Sequence, residues 1–246
     1  MRKTAASGFA RPASRLAGMR RTSLTLGLVL IAGMLGACVT DQTIRLQSQP
    51  DPRIERLTGA QPVTVFRFAD RRGDEGDGDP YRVGGMYDGY GSRLARVLSA
   101  TPWPDALVES LVAAFAERGI QATAAPDREL VPGATAVSTP FAVAGEIHNF
   151  STETRWTLQA HVSGIVRLYD SAGMLLLARS VSARIPRDLA GTSPEQGVSG
   201  YQAFLNLALQ QFVRAVVMDP ELSARLGGPR AAVPGGVGRP ASRATL

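Results

Sequence analysis

The chain has 246 residues, 44% of them hydrophobic, with 27 basic and 21 acidic side chains, a formal net charge of +6 and one cysteine. One cysteine excludes an intramolecular disulfide framework. The basic excess lies wholly before residue 38, in Arg2, Lys3, Arg11, Arg15, Arg20 and Arg21, and the remainder sets 21 arginines against 21 acids, a neutral balance that points away from nucleic acid as a partner.

The first element is a leader. Arg20-Arg21 precede an apolar run of 12 residues, Leu24 to Leu35, and then Gly36, Ala37 and Cys38. A positive stretch, a short apolar stretch and small residues are the pattern of an export signal. The run is too short for a hydrocarbon core that needs about 20 residues. The pattern predicts cleavage between Ala37 and Cys38 and acylation of Cys38. Residues 1–37 are then a leader, with Met19 as an alternative start. Two or more acyl chains give stable anchoring, so the membrane is the first expected partner and the lipid on Cys38 the only expected cofactor. By resemblance to bacterial lipoproteins, Val39 after the cysteine implies sorting to the outer membrane, facing the periplasm.

Residues 38–61 are polar, carry Pro50 and Pro52 with Pro62 just beyond, and show no sustained period. They read as a flexible tether with roughly 25 Å of reach. Val63 to Phe68, β-branched and aromatic, is the first strand. Asp70-Arg71-Arg72 follows, and then a turn-rich acidic loop from Gly73 to Pro80. Asp77 and Asp79 match only a fragment of a calcium loop, so a solvated loop is expected. Gly84-Gly85 and Gly89-Tyr90-Gly91 lack the lysine of a phosphate loop and the third glycine of a dinucleotide fingerprint. They read as tight turns.

Thr101 as cap, with Pro102 and Pro104 beside Trp103, opens a helix. Its stripe is Leu107, Val108, Leu111, Val112 and Phe115, and Gly119 stops it. Ile120 to Ala124 is a short strand, and Asp127 to Ser138 a connection. Phe141, Val143 and Ile147 alternate, Asn149 to Thr154 reads as a polar turn, and Trp156 to Leu168 alternates over a long strand. Asp170-Ser171-Ala172-Gly173 is a hairpin turn, and Leu175 to Ile185 returns. These three strands form an antiparallel meander with one buried face. His148, beside Glu146, and His161 fall on its polar phase and read as solvent-facing, because no further ligands support zinc. After Gly197 to Gly200, a helix runs from Tyr201 to Val216 with Gln202, Asn206, Gln210 and Arg214 on its other face. The chain exits through Asp219-Pro220-Glu221-Leu222, and residues 227–246 read as a disordered tail.

The expected fold is α+β: one domain over residues 62–226, with a mostly antiparallel sheet, the three-stranded meander and two amphipathic helices on one face. Asp70-Arg71-Arg72, Val83-Gly84, Asp88-Gly89-Tyr90-Gly91, the helix closing at Gly119 and the ending Asp219-Pro220-Glu221-Leu222 together resemble the YajG-like family of bacterial lipoproteins. The acidic stretch Asp74 to Asp79 departs from that family's pattern. The resemblance implies location and fold more than activity. The layout is also similar to the auxiliary lipoproteins of ABC-type envelope lipid-transport systems, which carry a tryptophan before the first helix, as Trp103 does here.

No G-x-S-x-G or H-E-x-x-H motif is present, and no catalytic residue or metal ligand is assigned. The expected function is a non-enzymatic envelope accessory, with a component of an ABC-type envelope lipid-transport system as the alternative and a hydrolase as the remote one. Asp70, Arg71, Tyr87, Tyr90 and Trp103 are the candidate surface for an envelope protein partner, because exposed tyrosine, tryptophan and arginine are typical interface anchors. Beside that stands the plainer expectation that they pack loops against the sheet.

Overall fold

The computed structural model describes residues 41–73, 78–87, 90, 92–133, 137–154, 157–188 and 195–227. The predicted cleavage site and lipidation site, Ala37 and Cys38, lie outside these residues, as do Asp77, Gly89, Gly91, Trp156 and the tail beyond Gly227. The elements are β1 (Gln42–Ile44), β2 (Val63–Arg67), β3 (Ala69–Asp70), β4 (Arg82–Tyr87), β5 (Arg93–Ser99), α1 (Trp103–Glu117), β6 (Ala122–Glu129), β7 (Phe141–Thr154), β8 (Thr157–Asp170), β9 (Leu175–Asp188), α2 (Glu195–Val217) and α3 (Pro220–Gly227).

These strands form one sheet with β7 as its spine. Along one edge β7 pairs antiparallel with β8, and β8 in turn with β9. This is the expected meander, and its alternation explains it: Val143, Ile147, Val162, Val166 and Leu168 are buried against the helices. At the β8–β9 turn, Gly173 has φ 76° and Asp170 Oδ1 accepts the N–H groups of Ala172 and Met174 at 2.9 Å, the local Asx geometry that such a turn uses. The other edge of β7 is shared end to end by three strands, β2, β3 and β4, all parallel to it. The α+β class holds, and the long antiparallel ladders carry most of the pairing, yet the sheet is mixed.

The helices cover one face. Leu107, Leu111 and Phe115 of α1, with Leu205, Leu209, Phe212 and Val216 of α2, are fully or almost fully buried there. On the opposite face a smaller cluster joins Phe66, Ala142, Ala144 and Tyr169. Among the described residues no helix is long and apolar enough to cross a membrane.

Several expectations need correction. The segment expected as a tether is part of the fold from Gln42 onward. β1 pairs parallel with β5, and Ile44 (1% exposed) and Leu46 (5%) enter the core. The reason is a polar ladder on α2. Gln202, Asn206, Gln210 and Arg214 repeat every four residues, so they line up along one side of the helix. Gln202 Oε1 accepts from Arg45 N–H (3.3 Å), and Asn206 accepts from Gln47 N–H (3.1 Å) while donating to Arg45 C=O (3.2 Å). Gln210 donates to Gln49 C=O (3.1 Å), and Arg214 approaches the buried Asp51 carboxylate at 3.4 Å. The amide side chains act as a substitute strand partner, satisfying backbone groups that no neighbouring strand reaches.

Asn149 to Thr154 is strand, not turn. A bulge between Ile147 and Asn149 leaves His148 without a partner in β8 and restores the pairing after it. Gly84-Gly85, expected as a tight turn, lies within strand β4, which pairs antiparallel with β5. β6 extends to Glu129, beyond the expected end at Ala124. Helix α1 is capped by Pro102 without a side-chain cap, so Thr101 does not serve that role. Asp219 to Leu222 begins a third helix rather than an exit, and Asp219 Oδ1 caps it by accepting from Leu222 N–H at 2.9 Å.

Ile44→Ala, measured by denaturant unfolding, is expected to destabilise the domain by about 2–5 kcal/mol. A tether residue would leave the midpoint unchanged.

Candidate functional site

The candidate site follows from how β7 shares its second edge. β3 pairs at Glu146 and Ile147, and β4 only at Glu153 and Thr154. Between them, beside the bulge, no strand among the described residues pairs with this edge of β7. A cleft of about 220 Å³ opens here, lined by Arg72, Gly73, Arg82, Gly84, Gly85, Tyr87 and residues 148–151.

The floor of the gap is closed by one side chain. Arg72 is 5% exposed at its side chain and makes a bidentate pair with Asp70, Nε to Oδ1 at 2.9 Å and Nη2 to Oδ2 at 2.8 Å. Its Nη1 donates to Arg82 C=O (2.5 Å) and to Phe150 C=O (3.5 Å), and Nη2 also donates to Asp79 C=O (3.1 Å). One guanidinium thus ties together β3, the loop ending at Asp79, β4 and β7. Only a planar fork with five donors reaches four acceptor groups at once.

Under that fork lies Trp103. The Arg72 guanidinium carbon is 4.7 Å from its ring centroid, and Phe150 stacks at 5.3 Å with 27° between planes. Trp103 is 0% exposed, which corrects its placement on a recognition surface. It is held at the first turn of α1 because Trp103 N–H donates to Pro80 C=O at 2.9 Å. A cation over a desolvated indole face is attractive by about 2 kcal/mol. Asp70 stays exposed, with its carboxylate engaged by Arg72.

The remaining candidates separate. Arg71 is 67% exposed at its side chain and reaches Glu146 at 3.8 Å. Tyr87 lines the cleft, with its ring across Gly85. Tyr90 stands 99% exposed in the β4–β5 connection. The structure therefore joins the exposed Asp70 through the Arg72 guanidinium to the buried Trp103, places Arg71 and Tyr87 near the cleft, and leaves Tyr90 at the end of a hairpin. Arg72 was legible only as part of a motif, because nothing in Asp70-Arg71-Arg72 tells which arginine turns inward. Strand alternation supplies the sign: Asp70 and Arg72 share one side of the chain and Arg71 the other.

Gly84 explains why the cleft stays narrow. A Cβ there would lie 2.3 Å from Thr152 C=O, so only glycine lets β4 press onto β7. This is close strand approach, not the tight turn expected from sequence.

The polar groups of the lining are engaged with one another. Ser151 Oγ donates to Asn149 Oδ1 at 2.7 Å, and His148 Nε2 faces Glu146 at 3.3 Å. Glu146 also takes Arg167 Nη2 at 2.9 Å. The Arg167 hydrogen bond holds the Glu146 carboxyl below the usual 4.5, with His148 assisting, while partial burial pushes the other way. His161 pairs with Ser182 Oγ at 3.1 Å across to β9, and burial, then Arg184, lowers its pKa. Among the described residues no three His, Cys, Asp or Glu are grouped to hold a metal.

Neither protein-family models nor curated proteins match this sequence. Among solved structures, protein XCC0632 from Xanthomonas campestris, of the DUF330 family, is similar at a TM-score of 0.51 with 14% identity, covering 74% of this chain and 96% of that one. An uncharacterised protein scores 0.39 at 14% identity, covering 71% and 99%. A minor lipoprotein from Acinetobacter baumannii scores 0.31 at 7% identity, covering 67% and 90%. The first shares the fold, and the other two share too little of it to carry an argument.

Arg72→Met is expected to cost about 3–5 kcal/mol, because it strands the Asp70 carboxylate and three carbonyls, whereas Arg71→Met should change stability by less than about 0.5 kcal/mol. Chemical denaturation of both separates the inner arginine from the outer one. Glu146→Gln tests the carboxylate cluster. The folded-state value is depressed, so the stabilisation is complete above pH 4.5 and lost as pH falls through the folded value. Melting temperature against pH should fall more steeply on that acid side for the native chain than for Glu146→Gln.

Proposed function

We propose that the chain is a lipid-anchored accessory of the cell envelope, held at the outer membrane through acylated Cys38 and facing the periplasm, that binds a partner rather than transforming a substrate. The observation that carries the anchor is Leu35-Gly36-Ala37-Cys38 at the end of a short apolar run behind Arg20-Arg21. The cysteine stands three residues before Asp41, whose carboxylate already accepts from Arg96 N–H in the folded domain. Binding is favoured over catalysis by the state of the cleft. Its serine hydroxyl, Ser151 Oγ, is paired with Asn149 Oδ1, whereas nucleophilic catalysis needs a hydroxyl paired with a base. The exposed Arg71 and the cleft tyrosine Tyr87 supply anchors of the kind that protein partners use.

A second reading is an auxiliary component of an ABC-type envelope lipid-transport system. It is supported by the layout, a tryptophan opening the first helix and an antiparallel meander before a closing helix. In-cell crosslinking separates the two: permease or lipid-shuttle subunits crosslinked to the chain favour the second.

The anchor is tested by Cys38→Ser with fatty-acid labelling and membrane fractionation. The native chain should carry label and sediment with membranes. The variant should carry none. Equal labelling of both would remove the lipid-anchor reading.

A further inference from the structure

We propose that the β4–β5 hairpin end of the sheet rests on the phospholipid surface that carries the Cys38 anchor, with Tyr90 and Leu94 at the headgroup layer and Arg93 and Arg96 against its phosphates. This rests on the lipid-anchor reading and adds an orientation to it.

The argument begins with chain length. Three peptide units join Cys38 to Asp41, and an extended chain covers at most about 3.6 Å per residue, so the anchor lies within about 11 Å of Asp41. Asp41 is fixed to the domain by the Arg96 N–H at 3.0 Å, and the next residue, Gln42, pairs with Val97. A flexible tether of the length expected from sequence would permit any orientation. A domain that begins three residues after its anchor is confined to the surface, and the end of the sheet nearest Asp41 is the end that meets it.

Strand direction identifies that end. β1 runs parallel to β5, so moving back from Gln42 toward the anchor is moving toward the start of β5 at Arg93. There β5 turns into β4, with Tyr87 paired to Arg93 and Tyr90 in the connection. On this end the exposed residues suit an interface. Tyr90 is 99% exposed and Leu94 48%, and Arg93 and Arg96 are exposed beside them. Tyrosine is enriched at the headgroup level, where its ring meets apolar and wet surroundings together. Arginine near an anionic surface is attracted by the negative potential within a Debye length. The cleft begins at Tyr87 on the same hairpin, so its mouth lies close to the headgroups.

The test uses the acylated full chain in vesicles of phosphatidylethanolamine with phosphatidylglycerol. Cys38 is occupied by lipid, so Tyr90→Cys and, separately, Leu94→Cys each offer one thiol for an environment-sensitive fluorophore. Met174→Cys is the control: Met174 is 66% exposed in the β8–β9 turn, at the far end of a strand that spans 14 residues. Headgroup-labelled quencher lipid should quench the labels at 90 and 94 several-fold more than the label at 174. Equal quenching at all three positions, or stronger quenching at 174, overturns the orientation. Flotation with the vesicles and the acyl mass on Cys38 report the anchor independently, so loss of the anchor is told apart from a wrong orientation. Circular dichroism of each variant confirms folding, and the two hairpin positions guard against failure of one.

Discussion

The rest of the structure depends on the Arg72 guanidinium. It sits where the second edge of β7 passes from β3 to β4, and a sheet cannot hand its edge from one strand to another without leaving carbonyls unpaired. Arg72 donates to Arg82 and Phe150 across that gap, is neutralised by Asp70 and lies on the Trp103 ring. Burying a charge is unfavourable unless it is paired and hydrogen-bonded, and here both conditions are met by groups from β3, β4, β7 and α1. The same contact lays the guanidinium on the first turn of α1, while Gly84 against Thr152 keeps the cleft narrow.

A second polar device closes the other side of the domain. The α2 ladder of Gln202, Asn206, Gln210 and Arg214 holds the chain from Arg45 to Asp51, and Leu57 N–H then donates to Arg118 C=O at 2.7 Å. The Arg53 side chain, then its backbone, lowers the pKa of the Asp51 carboxyl, with Arg214 assisting. Both devices use side chains to satisfy backbone groups at places where regular pairing stops. Together they hold the chain in the fold from Gln42 onward, and this gives the proposed anchor its structural consequence.

Much of the meander and both long helices were legible in the sequence. Alternation from Phe141 to Ile185 and the three-to-four spacing from Leu107 and from Tyr201 reflect burial of a single face, which leaves a periodic trace. β4 and β5 left less. Arg82 to Tyr87 carries two glycines, and the value of Gly84 lies in the approach of Thr152, which is distant in sequence. β1 has three residues and only Ile44 buried, too short for any period. The candidate residues were legible as residue types rather than as positions: Trp103 looks like Tyr90, and Arg72 like Arg71, until the fold turns one of each pair inward.

By itself the sequence determined the α+β class, the meander with its Asp170–Gly173 turn and the buried stripes of the two longer helices. All of these rest on local spacing and residue chemistry. Tertiary structure alone decided that the polar segment after the cysteine is a strand and a clamp, that β7 divides one edge among three partners, and that Arg72 rather than Arg71 fills the gap. Those outcomes depend on contacts between residues as far apart as Gln49 and Gln210. Such contacts arise only when separate elements meet, and no periodicity within either element records them.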